Sequence, residues 1–96
     1  MQVPPDTQVQ RGIGKQGPDC WLIRAPEGVF IGWTPDGHIR FFRYTEASVE
    51  RDVQHGHAWC DIQPDEEAEC SRVYQEFRLW RMESPLPPIN DTWPTS

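Results

Sequence analysis

The sequence predicts a small α+β domain. It reads as a three-stranded antiparallel meander with a helix packed on one face, then a second helix and a mobile proline-rich tail. Three observations lead there. Ala25-Pro26-Glu27-Gly28 and Thr34-Pro35-Asp36-Gly37 are both turn signals, with a proline that presets φ and a glycine that accepts positive φ. Apolar residues alternate around those turns, as half-buried strands require. Beyond residue 45 the apolar spacing changes to that of helices.

Residues 1–19 contain Pro4, Pro5, Gly12, Gly14, Gly17 and Pro18 and read as a flexible N-terminal arm. The glycine-rich run within it lacks the GxxxxGK[ST] spacing of a phosphate loop, and no strand is expected before it. Residues 20–83 form one domain, and residues 84–96 an extended tail.

The strand register follows if each turn is a three-residue loop ending in a glycine bulge. Ala25 then faces Val29, Ile23 faces Ile31, Trp21 faces Trp33, and Ile31 faces Phe41. One side of the sheet collects Trp21, Ile23, Ala25, Val29, Ile31, Trp33, Ile39 and Phe41, with no charge among them. The other side collects Leu22, Arg24, Phe30, Gly32, His38, Arg40 and Phe42. Arginine and aromatic side chains are enriched at interface hot spots, so Arg24, Phe30, Arg40 and Phe42 are the expected partner-binding stripe.

Thr45 reads as an N-cap and Gly56 as a stop for a helix over residues 46–55. Val49 and Val53, four apart, would seat it on the apolar side of the sheet. Residues 57–62 are a short connector or strand, with Trp59 as a core anchor. Pro64 and Asp65 open the second helix, and the carboxylates of Glu66 and Glu67 suit its positive end. Cys70, Val73, Tyr74, Phe77 and Trp80 then recur at helical spacing. The helix is expected over residues 65–76; residues 77–82 also alternate and stay open between helix and a fourth strand. In the tail, Pro85-Leu86-Pro87-Pro88 has PxxP spacing, and Trp93 is a candidate for docking.

The chain has 96 residues, room for one domain. Leu, Ile, Val and Phe number only 19, so its five tryptophans must supply much of the core. A core this small admits a homodimer or a partner that completes the burial. The net charge is −6, of which residues 57–96 carry −5 (three Lys/Arg against eight Asp/Glu). Such an acidic half disfavours nucleic acid and anionic membrane and favours a protein with a basic surface. No apolar run approaches a membrane span, and no signal-peptide pattern opens the chain, which predicts a cytoplasmic protein. Three cysteines are too few, and odd in number, for a disulfide scaffold.

Two chemistries deserve weighing. His55, His57, Cys60 and Cys70 are of the ligand types zinc prefers, although their spacing matches no common zinc motif. Cysteines and histidines also supply raw material for a nucleophile and base, but no nucleophile elbow or papain-like signature surrounds them. The expected protein is therefore non-enzymatic and cofactor-free. It is an acidic binding module that would set Asp61, Asp65, Glu66, Glu67 and Glu69 against a partner's basic, nucleic-acid-binding groove. In size and charge it resembles the small inhibitors that phages and other mobile elements direct at host proteins. An alternative rests on the order of three strands then a helix. That order looks like the DNA-reading domains of plant AP2 factors and the arm-binding domains of phage integrases, with Arg24, His38 and Arg40 toward the major groove. A zinc-stabilised structural domain is the third reading.

Overall fold

The computed structural model describes residues 3–13, 20–34 and 38–90. The chain is α+β. Its five strands are β1 (Gln8–Ile13), β2 (Cys20–Ala25), β3 (Gly28–Trp33), β4 (Arg40–Tyr44) and β5 (Ala58–Asp61). They form one antiparallel sheet in the order β4-β3-β2-β1-β5. Helix α1 (Glu46–Gln54) joins β4 at one edge to β5 at the other. A 3₁₀ turn (Pro64–Glu66) leads into α2 (Glu67–Glu83).

The β2-β3-β4 meander is present, but its register differs from expectation by one residue. The β2–β3 turn is two residues long, not three. Ala25 pairs directly with Gly28, so Ile23 opposes Phe30 and Leu22 opposes Ile31. Gly28 has φ +146°, which a side-chain-bearing residue rarely adopts. It lets the chain enter β3 one residue early. Because strand side chains alternate, the slip turns β3 over while leaving β2 and β4 as expected. Phe30 joins Trp21, Ile23 and Phe41 on the α2 side. Val29 and Ile31 join Leu22, Phe42 and Tyr44 on the other.

Both sides of the sheet therefore carry a core. On one, Val9, Trp21, Ile23 and Phe30 pack against Cys70, Val73, Tyr74 and Phe77 of α2. Phe30 lies 5.0 Å from Phe77 and 5.7 Å from Trp80 between ring centroids, within the range of favourable aromatic pairs. On the other, Val49 of α1 packs with Leu22, Ile31 and Tyr44. Helix α1 thus sits on the side opposite to the one expected. It is seated through Ser48, Val49 and Asp52, whereas Val53 is 50% exposed. Thr45 caps it as expected, accepting from Ser48 N at 3.1 Å.

Two boundaries also change. Gln8–Ile13, within the expected flexible arm, is an interior strand paired to both β2 and β5. Val9 is its buried anchor, and its polar residues are matched across the sheet by Arg24 and Asp61. Residues 77–82 are helix, because Phe77 and Trp80 meet the sheet from one helical face. The first part of the expected mobile tail lies along β4. Ile89 bridges Arg43 in parallel, Asn90 N donates to Arg43 O at 2.6 Å, and Arg43 Nη1 donates to Pro87 O at 3.2 Å. The turn at Pro35-Asp36-Gly37 and the tail residue Trp93 lie outside the described residues.

Candidate functional site

Asp61, Asp65, Glu66, Glu67 and Glu69 lie along the segment where β5 runs through Pro64–Glu66 into α2. Pro64 fits a first helical position because it lacks an N–H to leave unpaired. Acidic residues follow it because unpaired N–H groups and the helix dipole favour negative charge there. Not all five carboxylates are alike. Glu66 is committed internally. It accepts from Gln63 N at 3.0 Å and from Arg11 Nη1 at 2.7 Å. The Gln63 backbone N–H, and after it Arg11, hold its carboxyl below the usual range. Glu69 shares Arg11 at 3.5 Å. Arg11 in turn lies over the Trp21 ring, 5.5 Å from its centroid. Asp61 is exposed and accepts from Gln10 Nε2 at 3.2 Å. Asp65 and Glu67 are exposed and form no ion pair among the described residues.

The aromatic–arginine stripe does not form. Phe30 is fully buried on the α2 side, so it and Phe42 lie on opposite sides of the sheet. The two-residue turn is the cause. Phe42 is half-buried against Leu22 and Ile31. Arg24 is held by Glu46 through paired contacts of 2.8 and 3.2 Å, and by Gln8 and Gln10 at 3.1 and 2.9 Å. Of the four, only Arg40 is exposed.

The zinc set does not converge either. His55 caps α1 at the surface. Cys60 pairs with Arg11, and Cys70 packs in the α2 core, on the other side of the sheet from His57. No group of three or more metal-ligating side chains occurs among the described residues.

The histidine has a different neighbour. Cys20 Sγ and His57 Nε2 are 3.6 Å apart, both residues buried. The His57 ring lies 4.4 Å from that of Trp59. Gly12 of β1 crosses directly over this group, leaving no space for a side chain at that position. Burial pushes the His57 pKa below its ordinary value, favouring the neutral imidazole. Nearby, α1 turns Ser48 and Asp52 inward, and burial raises the Asp52 carboxyl above its ordinary value. Nucleophilic cysteines sit in accessible, electropositive surroundings. This one is 2% exposed and lies beside a histidine whose burial disfavours the charged form. Sequence reasoning missed the group because its members come from three separate segments. Gly12 inside an alternating stretch was the available signal.

Comparison of the chain with protein-family models, curated proteins and solved structures returned no match.

Proposed function

We propose that the chain is a non-enzymatic protein-binding module, of the small acidic inhibitor kind, whose acidic corner engages a basic, nucleic-acid-binding surface of a partner. The observation that carries this is the set of exposed carboxylates Asp61, Asp65 and Glu67 at and after the end of β5 in a chain of net charge −6. Charge of one sign, concentrated and accessible, steers association with an oppositely charged partner. Glu66 and Glu69 support the corner by fixing Arg11, not by offering free charge.

A cytoplasmic setting suits three free cysteines. No helix among the described residues is long and apolar enough to cross a membrane. The DNA-reading alternative loses support from the geometry, since α2 covers one side of the sheet and Arg24 on the other is bound to Glu46. The zinc-stabilised alternative loses support too, since His55, His57, Cys60 and Cys70 do not come together and no other metal-ligating group of three occurs among the described residues.

The test is capture from host lysate at low salt, run side by side with the natural chain and an Asp61→Asn/Asp65→Asn/Glu67→Gln variant. The natural chain should retain a basic protein that added salt releases, and the variant should lose it. A partner held equally by both, with the same salt sensitivity, would refute the corner as the contact.

A further inference from the structure

We propose a second contact surface: the groove between α2 and the outer side of β4 docks a short segment of another protein that carries an apolar anchor flanked by Lys or Arg. The groove is lined by Phe41 of β4, by Ile39 just before that strand and by Leu79 and Trp80 from α2, with a volume of about 560 Å³. That volume lies within the range of ligand-sized clefts, roughly 300–1,000 Å³. Its floor is firm, since the Phe41 and Trp80 rings stack at 5.3 Å and 28°. Its apolar wall is open to water: Leu79 is 52% exposed, and Met82 beside it 75%. An exposed apolar patch with a polar rim is the usual signature of an interaction surface.

Charge identifies the occupant. Glu76 and Glu83 stand on the rim with Arg40, which leaves the lining with one more negative than positive charge, and neither carboxylate forms an ion pair among the described residues. They are seven positions apart on α2, which at the helical rise is about 10 Å. In an extended segment, basic residues three apart span about the same distance. A second copy of this chain is the poorer fit, because it would bring another molecule of net charge −6 against those carboxylates. This surface shares no residue with the acidic corner and stands or falls separately from it.

Random dodecapeptides displayed on phage and selected against the full chain test the idea. Enriched peptides should combine a large apolar residue with two or more Lys or Arg. A synthetic version should shift the amide signals of Ile39, Phe41, Leu79 and Trp80. Glu76→Gln/Glu83→Gln should weaken it about three- to tenfold, the expected loss of two exposed ion pairs. Leu79→Ser, at an exposed position and so harmless to folding, should weaken it roughly tenfold. The corner variant Asp61→Asn/Asp65→Asn/Glu67→Gln should bind the peptide as the natural chain does. No enrichment, enriched peptides without basic residues, or signal shifts elsewhere would overturn the proposal. So would a dimer, seen by light scattering, that Leu79→Ser dissolves.

Discussion

Gly12→Ala is the sharpest test of the packing beneath α1. A Cβ at this position would overlap Cys20 Sγ and lie 2.7 Å from Trp59 Cζ3 and 2.9 Å from His57 Nε2. Real Cβ contacts are longer, so each neighbour must move. The Cys20 sulfur is one bond from its Cβ, the residue is 2% exposed, and it has little room to rotate. Overpacking of a filled interior costs about 1–3 kcal/mol, and three simultaneous overlaps put this case near the upper end. Cys20→Ala alone should cost about 1–2 kcal/mol, from the lost sulfur contacts and the hydrogen bond to His57. The two changes should not add. In Gly12→Ala/Cys20→Ala the new methyl occupies part of the space the sulfur vacates, giving a favourable coupling of about 1 kcal/mol or more. Urea unfolding followed by tryptophan fluorescence reads all four corners of the cycle. Gly12→Ala unfolding within about 0.5 kcal/mol of the natural chain, or simple additivity in the double variant, would show that the space around Gly12 is not filled.

The remaining predictions concern register and pH. Phe30→Ala should cost about 3–5 kcal/mol, as for a fully buried aromatic, and Phe42→Ala clearly less; equal losses in chemical denaturation would contradict the two-residue turn. His57 has its pKa lowered in the fold from an ordinary 6.5, so the unfolded chain binds the proton more readily. Stability is then complete above that value and falls as pH drops below it. His57→Gln should flatten that part of a melting-temperature profile, and an unchanged slope would count against burial of a neutral imidazole. Asp52 shows the opposite sign. Its pKa is raised from an ordinary 3.8, so its contribution is present at low pH and lost as the carboxyl ionises. With Oδ2 buried and lacking a hydrogen-bond partner, Asp52→Asn should hold or raise the melting temperature at neutral pH, and a marked drop would show that the carboxylate is needed.

The meander, the two helices and their caps were legible because they rest on local chemistry. Thr45 before a helix, Gly56 after it and Pro26 in a turn act within a few residues. The strand register was not legible, because Ala25-Pro26-Glu27-Gly28 is compatible with both a two- and a three-residue loop. The two differ by one position, and in a strand one position decides which side of the sheet a residue faces. Either choice gave an acceptable pattern, since Val29, Phe30 and Ile31 are all apolar. A sheet with a helix on each side tolerates apolar residues on both, so alternation ceases to distinguish inside from outside. Strand β1 was hidden for the converse reason. Gln8, Gln10 and Arg11 look solvated in isolation, and they become strand residues only through Arg24, Asp61 and Glu66, each distant in sequence.

That same two-sidedness explains why the candidate site moved from the sheet to its margins. With α2 on one side and α1 on the other, strand side chains have been drawn into packing or, like Arg24, into internal ion pairs. The two surfaces we propose for partners lie at the periphery: the carboxylates Asp61, Asp65 and Glu67 at and beyond edge strand β5, and the Ile39–Phe41–Leu79–Trp80 groove beside edge strand β4. The corner was legible, because acidic residues after a proline at a helix start are a local pattern. Which carboxylates stay free was not, since Arg11 reaches Glu66 and Glu69 only once β1 has joined the sheet. Neutralising Glu66 would therefore remove a structural bond as well as a charge. Its depressed pKa means that its contribution is present above the ordinary value of 4.5 and lost as pH falls. Asp61→Asn/Asp65→Asn/Glu67→Gln separates the two effects. It should unfold like the natural chain while slowing association with a basic partner, whereas Glu66→Gln should lower stability at neutral pH and lose less at pH 4. A triple variant that melted as early as Glu66→Gln would show that the exposed carboxylates, too, belong to the fold rather than to recognition.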